Sequence, residues 1–295
     1  MKTVTIVGVG KAGGALAIAL SRAGYSIEKL AHRNSDLART IKRKEIPTAT
    51  LVRWPKVGAI SSNIVIVAVP DPEISTVSHA LEGVLRISKG QTVLHTSGSL
   101  TSGELSNLAR LGCETGSIHP LVSISDPFLG ADRFQNAYFC VEGSKTSIRE
   151  ARRIIKALGG KSFTIDPSKK GLYHAAAVTS AGHVTAVFDV AIEMLSKCGV
   201  TRKEAQNILY PLLSSAVRNL ERQSTDVALT GSFARLDIAA FERHLSSFGP
   251  LSVSVKDVYF ALAERSLDMV ERRNGTTGGL TAFRERISIA KRNSK

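Results

Sequence analysis

Cysteine and aromatic residues are scarce in this sequence. The 295 residues include three Cys, one Trp and 5% aromatic side chains. Cys113, Cys140 and Cys198 lie far apart and form no Cys-x-x-Cys pair. A disulfide scaffold and a cysteine-based zinc site are therefore not expected, and we predict no metal site. Unpaired cysteines fit a reducing compartment, so the sequence predicts a cytoplasmic protein.

Long uncharged apolar runs are also missing. A membrane-spanning helix needs about 18 to 20 consecutive apolar residues, and the sequence has no such uncharged stretch. The apolar run after Met1 is interrupted by Lys11, which argues against a signal peptide. We therefore do not expect a membrane partner.

Acidic residues are outnumbered by basic ones. There are 25 Asp and Glu against 39 Lys and Arg, which gives a formal net charge of +14. The basic residues are densest at 42–44 and 284–295, but few aromatic residues interleave them. Because single-stranded nucleic acids stack on aromatic side chains, nucleic acid is not expected as a partner. A positive field steers small anions, so we expect a small anionic metabolite as substrate.

The hydrophobic pattern changes near Asp166 and Pro167. Before this point, short strand-like runs alternate with helical patterns, which predicts a parallel sheet with helices on both faces. After it, apolar residues recur at three- and four-residue steps and no strand is evident. We predict an α/β fold, with a Rossmann-type parallel sheet domain at 1–167 followed by an all-helical C-terminal domain at 168–295. The predicted strands are 3–9, 26–31, 63–69, 91–95, 137–142 and 162–165, and the predicted helices are 14–23, 147–158, 169–198, 201–223, 236–248, 252–274 and 281 onward.

A glycine motif follows the first predicted strand and opens the first helix. It reads Gly8-Val9-Gly10-Lys11-Ala12-Gly13, a G-x-G-x-x-G in the context of a dinucleotide site. Gly8 suits the tight turn, Gly10 the close approach of a pyrophosphate, and Gly13 close helix–strand packing. The helix N-terminus adds N–H donors at Lys11 and Ala12. The motif predicts dinucleotide binding at these residues, whereas a plain glycine-rich turn is the alternative.

The second strand bears on the choice of cofactor. An NAD site places a carboxylate about 20 residues after the motif, to hold the ribose 2′-hydroxyl. Here that region reads His32-Arg33-Asn34-Ser35, with no carboxylate. Because a guanidinium flanked by small polar groups can bind a 2′-phosphate, we predict NADP rather than NAD. The alternative is that Arg33 only points to solvent.

Two further strands end in small-residue loops. Val69 and Pro70 end one of them, and Ser97 and Gly98 follow the next. Ligands of open α/β sheets bind beyond the carboxyl ends of the strands. We predict that these four residues line the ribose and nicotinamide, although ordinary loops have the same composition.

Two histidines are candidates for proton transfer. His119 stands before Pro120, which favours an extended backbone at the histidine. His174 lies near the start of the long helix, followed by three alanines. We predict that one of them donates a proton, with a pKa near neutrality. A histidine on an apolar face is also often a hydrogen-bonded core residue, so that alternative stays open.

Arg235 and Asp237 form a third candidate pair, after the turn at Gly231. Arginine can hold a substrate carboxylate with two hydrogen bonds, and Asp237 could orient a neighbouring side chain. The spacing alone favours another interpretation, in which Asp237 caps a helix and Arg235 is solvated.

The combined motifs resemble a known bacterial family. They are the glycine motif, HRNS, AVPDPEI, HTSGS, GSIHPL, GLYHAAAV, ALTGSFARLD and ERHL. The family joins a Rossmann-like domain to a helical C-terminal domain of unknown function. It is similar to pyrroline-5-carboxylate reductases, prephenate dehydrogenases and the 6-phosphogluconate/3-hydroxyisobutyrate dehydrogenase superfamily. The resemblance implies an NADP-dependent oxidoreductase with His119, His174, Arg235 and Asp237 at a site between the domains, and dimers formed through the helical half.

This sequence departs from the family pattern at three positions. Gly182 stands where an Asn follows the helix histidine by eight residues, Ser232 replaces a Pro, and Leu236 replaces a Gly. Two hypotheses result. One is hydride transfer between NADPH and a C=O or C=N group of a small carboxylate-bearing substrate, such as ketopantoate or another 2-oxo acid, or an imine. The other is a non-catalytic NADP-binding sensor or regulator.

Overall fold

The computed structural model describes residues 2–293, except for the side chain of Ser35. Its contacts group the chain into two compact units, one ending at Ala181 and the other beginning at Gly182. The division falls inside the long helical stretch, and the domain boundary at residue 167 stays a prediction.

The first unit is built on an eight-stranded sheet, in the order β3-β2-β1-β4-β5-β6-β7-β8. The strands are β1 (Thr3–Val7), β2 (Ser26–His32), β3 (Thr50–Arg53), β4 (Ile64–Val67), β5 (Thr92–His95), β6 (Glu114–Pro120), β7 (Tyr138–Gly143) and β8 (Lys161–Phe163). The predicted α/β class is confirmed, and one detail of the parallel sheet is corrected: β7 runs antiparallel to β6. Between these strands lies only a short helix, α5 (Pro127–Asp132), which packs on α1 (Lys11–Arg22).

The sheet is covered on both faces because its central strands are apolar throughout. All four residues of β4 are buried. Ile64 and Ile66 pack in one core cluster, whereas Val65 and Val67 pack in the other. Successive side chains of a strand point to opposite faces, so an uninterrupted apolar run requires cover on both sides. The remaining helices of this unit are α2 (Ser35–Glu45), α3 (Ile74–Glu82), α4 (Ser106–Arg110), α6 (Lys145–Ala157) and α7 (Lys170–Val178).

The predicted helix at 169–198 is a continuous helical stretch with one irregularity. After α7 a π-helical turn, Thr179–His183, leads into α8 (Val184–Ser196). By length and composition alone, Pro167–Ser196 could cross a membrane, and 6% of its most apolar window is buried within this chain. A single helix of this kind is weak evidence for a membrane protein, so the absence of a membrane helix stays a prediction.

The second unit contains helices and, within its described residues, no strand. After α8 come α9 (Arg202–Leu220), α10 (Thr225–Ala228), α11 (Ile238–Ser246), α12 (Val253–Asn274) and α13 (Gly278–Asn293). Thr201 caps α9 in a capping box with Glu204. Phe241, Phe260 and Phe283 are fully buried in the core of this unit.

Candidate functional site

A cleft of about 290 Å³ opens at the carboxyl ends of β1, β2 and β4. Because parallel strands end at the same sheet edge, residues predicted from separate motifs meet there. The predicted cofactor residues that line it are Gly8, Gly10, His32, Arg33, Asn34, Val69 and Pro70. Lys11, Ala12 and Gly13 form the first turn of α1 beside it. The side chain of Ser35 lies outside the described residues.

The three glycines of the motif have different environments. Gly8 has a φ of +98°, and a Cβ atom there would overlap the backbone of Ala68. At Gly13 a Cβ would overlap the carbonyl oxygen of Gly8. At Gly10, which precedes α1, a Cβ would meet nothing within 4 Å. The turn is therefore packed tightly at Gly8 and Gly13 and open at Gly10, which fits a pyrophosphate approaching the N-terminus of α1.

The end of β2 carries the polar groups of the cleft. The Nη1 atom of Arg33 lies 2.7 Å from Oε2 of Glu73, which also lines the cleft. The Oδ1 atom of Asn34 accepts the N–H of Asp36 and caps α2. His32 is buried, and its Nδ1 atom has no hydrogen-bond partner among the described residues. Arg33 therefore faces an anionic group instead of bulk solvent alone, and His32 retains a polar atom that a ligand could satisfy.

Sequence reasoning missed Glu73 and Trp54 as cleft residues. Trp54, the single tryptophan of the chain, follows β3 and lines the cleft. Glu73 ends a short 3-10 turn that begins at Asp71. Glu73 belongs to the AVPDPEI motif, but the motif alone did not indicate that its side chain lies beside β2. Trp54 comes from a segment without a recognised motif, and its being the single tryptophan was the one available signal.

A pair of histidines meets next to Gly98. His119 lies near the end of β6 and His174 on α7, and their ring centroids are 5.7 Å apart at an interplanar angle of 77°. A Cβ atom at Gly98 would lie 2.5 Å from Cδ2 of His174 and 2.9 Å from Nε2 of His119. Only a glycine at this position leaves room for both rings. Three residues predicted from separate motifs are therefore neighbours.

Tyr173 orients one ring of this pair. Its hydroxyl is hydrogen-bonded to Nδ1 of His119 at 2.6 Å. Burial raises the pKa of the Tyr173 phenol, which keeps the hydroxyl protonated and able to donate. A hydroxyl that donates to Nδ1 leaves the ring proton of His119 on Nε2, the atom beside Gly98.

The expectation of a pKa near neutrality is wrong for His119. Its pKa is lowered to about 4, mostly by burial and in addition by the neighbouring His174 and Lys170. Protonating the ring would place a charge in a buried site that already holds a cation. His119 is therefore neutral at pH 7 and can act as a hydrogen-bond donor through Nε2.

Lys170 is the buried cation of the site, and sequence reasoning missed it. Its side chain is 1% exposed, and its Nζ atom donates to Oγ of Ser117 at 2.7 Å and to the carbonyl of Ser97 at 3.4 Å. Burial lowers the pKa of the ammonium, whereas Glu142 acts in the opposite direction. Lys170 thus connects α7 to two strand ends.

The cleft and the histidine pair are connected through Asp71. Its Oδ2 atom accepts hydrogen bonds from the hydroxyls of Ser97, at 2.8 Å, and Ser99, at 2.6 Å. Asp71 follows Pro70 of the cleft, and Ser97 precedes Gly98 of the histidine site. The two predicted loops are therefore held together, and Ser97 acts as a structural link between them.

The second unit holds Arg235 and Asp237. Oδ1 of Asp237 accepts the N–H of Ala240 at 2.8 Å and caps α11, while Arg235 is exposed at the end of a 3-10 turn. The structure thus shows the capping interpretation for Asp237, and the substrate role of Arg235 stays a prediction. Leu236 between them has a φ of +54°, a conformation that favours glycine. This explains why the family pattern has glycine there.

Two family models match the chain. A Rossmann-like domain matches residues 1–120, and a domain of unknown function (DUF2520) matches residues 137–266. The second match begins at β7, inside the first unit. No curated protein shows significant similarity to this chain.

Solved structures with the same fold cover nearly the whole chain. A Thermotoga maritima protein is 22% identical, with a TM-score of 0.69 over 92% of this chain and 99% of its own. A Bacteroides fragilis protein assigned as an NADP oxidoreductase is 20% identical, with a TM-score of 0.71 over 90% and 97%. The Plasmodium falciparum pyrroline carboxylate reductase, solved with NADP bound, is 15% identical, with a TM-score of 0.56 over 93% and 98%. At these identities the likeness shows the fold. The chain therefore joins a Rossmann-like domain to a DUF2520 domain, as the motifs predict.

Proposed function

We propose that this protein is an NADP-dependent oxidoreductase that reduces a C=O or C=N group of a small carboxylate-bearing substrate. The observation that supports this proposal most is the connection between the cleft and the loop beside the histidine pair. Pro70 lines the glycine-lined cleft, and the next residue, Asp71, binds the loop that contains Gly98. A dinucleotide along this edge would extend from α1 towards the histidine pair. Two structural neighbours, an assigned NADP oxidoreductase and a reductase with NADP bound, support the same cofactor.

The cleft residues fit the parts of the cofactor in order. The open space at Gly10 would receive the pyrophosphate, and Arg33 would pair with the 2′-phosphate. Ser97 and Gly98 border the position expected for the nicotinamide. NADPH, when bound, supplies the hydride.

The histidine pair would serve the proton side of the reaction. Neutral His119, fixed by Tyr173, donates a hydrogen bond from Nε2 to the substrate oxygen or nitrogen and so stabilises developing negative charge. His174 is assigned the proton transfer. Gly98 leaves room for both rings to lie side by side. The resemblance adds Arg235 as the group that would hold the carboxylate.

The reaction is tested by measuring NADPH oxidation with a panel of 2-oxo acids, ketopantoate included, and of cyclic imines. His119→Ala and His174→Ala should lower the rate with at least one substrate and keep the affinity for NADPH. Binding of NADPH without turnover on any member of the panel would contradict the enzyme and favour the alternative, an NADP-binding sensor. The feature that favours this alternative is Gly182, which stands in place of the Asn of the family pattern.

We also propose that the protein is a homodimer formed through α8 and α9. These helices pack together and carry apolar side chains that are 38% to 66% exposed: Val184, Val187, Ile208, Tyr210, Leu212, Val217 and Leu220. Exposed apolar side chains on two packed helices favour a protein partner. Leu212→Asp should give a monomer by light scattering. Leu129→Asp, at a similarly exposed leucine on α5, should leave the mass unchanged.

A further inference from the structure

The cleft contains an acid that the proposed function does not use. Glu73 lines the cleft, and its carboxylate pairs with Arg33, the residue assigned to the 2′-phosphate. Both groups reach the mouth of the cleft, where the side chains of Arg33 and Glu73 are 61% and 31% exposed. The guanidinium is therefore available to more than one anion.

We propose that Glu73 is a built-in competitor of the cofactor's 2′-phosphate, a residue that weakens NADPH binding and narrows the preference for NADPH over NADH. The inference rests on the proposed function and names the group that tunes its cofactor selectivity. A 2′-phosphate that binds Arg33 must displace the Glu73 carboxylate or share the guanidinium with it. In either case a negative group stays close to the phosphate and repels it. NADH has a hydroxyl at this position and meets no such repulsion.

The position of Glu73 is fixed independently of Arg33. It ends the short turn Asp71–Glu73, and Asp71 is bonded to Ser97 and Ser99. The turn leads directly into α3, and the N-terminus of a helix favours negative charge. Glu73 would therefore remain beside the cleft when its ion pair is exchanged, and an exposed ion pair exchanges readily because it is weak.

The alternative is that Glu73 acts like the carboxylate of an NAD site and holds a ribose hydroxyl. In that case Glu73→Gln would weaken NADH binding. Under our proposal the same variant binds NADPH more tightly, and its affinity for NADH is unchanged. The two roles thus give different results for the same variant.

The experiment measures dissociation constants of NADPH and NADH for the full chain by calorimetry. Glu73→Gln should tighten NADPH binding by about twofold to fivefold, the effect of removing one nearby exposed charge, and should leave NADH unchanged. Asp132→Asn is the matched control, because Asp132 forms a comparable exposed pair with Arg22, at 2.9 Å, and does not line the cleft. It should change neither constant.

A double-mutant cycle tests whether the effect of Glu73 on NADPH binding depends on Arg33. In the Arg33→Gln background the competition for the guanidinium is gone and only the direct repulsion between Glu73 and the phosphate remains, so Glu73→Gln should improve NADPH binding less than in the wild type. Adenosine 2′,5′-bisphosphate and adenosine 5′-monophosphate, used as probes, should separate the variants in the same way as NADPH and NADH.

The outcomes distinguish the two proposals. If the wild type binds NADPH and Glu73→Gln binds it no tighter, the competitor role is overturned and the proposed function stands. Weaker NADH binding in Glu73→Gln overturns it in favour of the ribose-holding role. If the wild type binds neither dinucleotide, the proposed function fails, and this inference fails with it.

Discussion

The Nδ1 atom of His119 and the hydroxyl of Tyr173 lie 2.6 Å apart, within one hydrogen bond. This bond sets the direction of the His119 ring, and the hydroxyl is able to donate to Nδ1. Tyr173→Phe removes the bond and keeps the ring. We expect kcat to fall by about tenfold, because the imidazole loses the partner that orients it, with NADPH affinity unchanged. Steady-state kinetics and NADPH titration measure this, and Tyr138→Phe, at an exposed tyrosine, is the control. Equal kcat in wild type and Tyr173→Phe would remove the orienting role.

An added methyl group at Gly98 would collide with both histidine rings. Gly98→Ala would bring Cβ to 2.5 Å from His174 Cδ2 and 2.8 Å from His119 Cε1, so both rings must move. We expect kcat to fall by about 100-fold and the free energy of unfolding by about 1–3 kcal/mol. Gly83→Ala is the matched control, since a Cβ there meets nothing within 4 Å and φ is −76°. An active, stable Gly98→Ala protein would mean that the two rings are not the reaction site.

Stability should depend on pH through two buried histidines. Burial lowers the pKa of both His119 and His95 to about 4, whereas an unfolded histidine titrates near pH 6.5. Between these values the unfolded state binds more protons, so stability is full above about pH 6.5 and falls as the pH drops towards 4. Each histidine contributes a slope of at most about 1.4 kcal/mol per pH unit. Denaturant titrations should show a smaller slope for His119→Asn, and an unchanged slope would contradict the low pKa.

The charge of Lys170 should affect the pKa of His119. Lys170→Met keeps a long side chain but removes the cation that lowers the pKa of His119. We expect that pKa to rise but to stay below 6.5, because burial is the larger cause. NMR titration of ring-labelled histidine measures it. A pKa for His119 that is the same in both proteins would show that Lys170 acts only through its hydrogen bonds to Ser97 and Ser117.

Short sequence motifs predicted residues of the candidate site, whereas contacts between distant segments determine their hydrogen bonds and pKa values. The glycine motif and the end of β2 were recognisable because each function lies within a few consecutive residues. Tyr173 bonds to His119, 54 residues away in sequence, and Lys170 bonds to Ser117, 53 residues away. A local sequence pattern does not predict contacts at such separations. The low pKa of His119 was missed for the same reason, since burial is a property of the folded chain. The reversed β7 was missed because a strand pattern does not carry direction.

If NADPH binds in the cleft with its pyrophosphate at Gly10, a side chain at this position should block binding. Gly10→Val introduces such a side chain. A Cβ at Gly10 meets nothing within 4 Å and φ is −92°, so a side chain can begin there without a clash and would enter the space assigned to the pyrophosphate. Trp54 lines the cleft and is the only tryptophan, so its fluorescence reports binding. NADPH should quench the wild type with a saturable curve and should fail to quench Gly10→Val, while both proteins unfold at the same temperature. Equal NADPH binding by the two proteins would contradict the account.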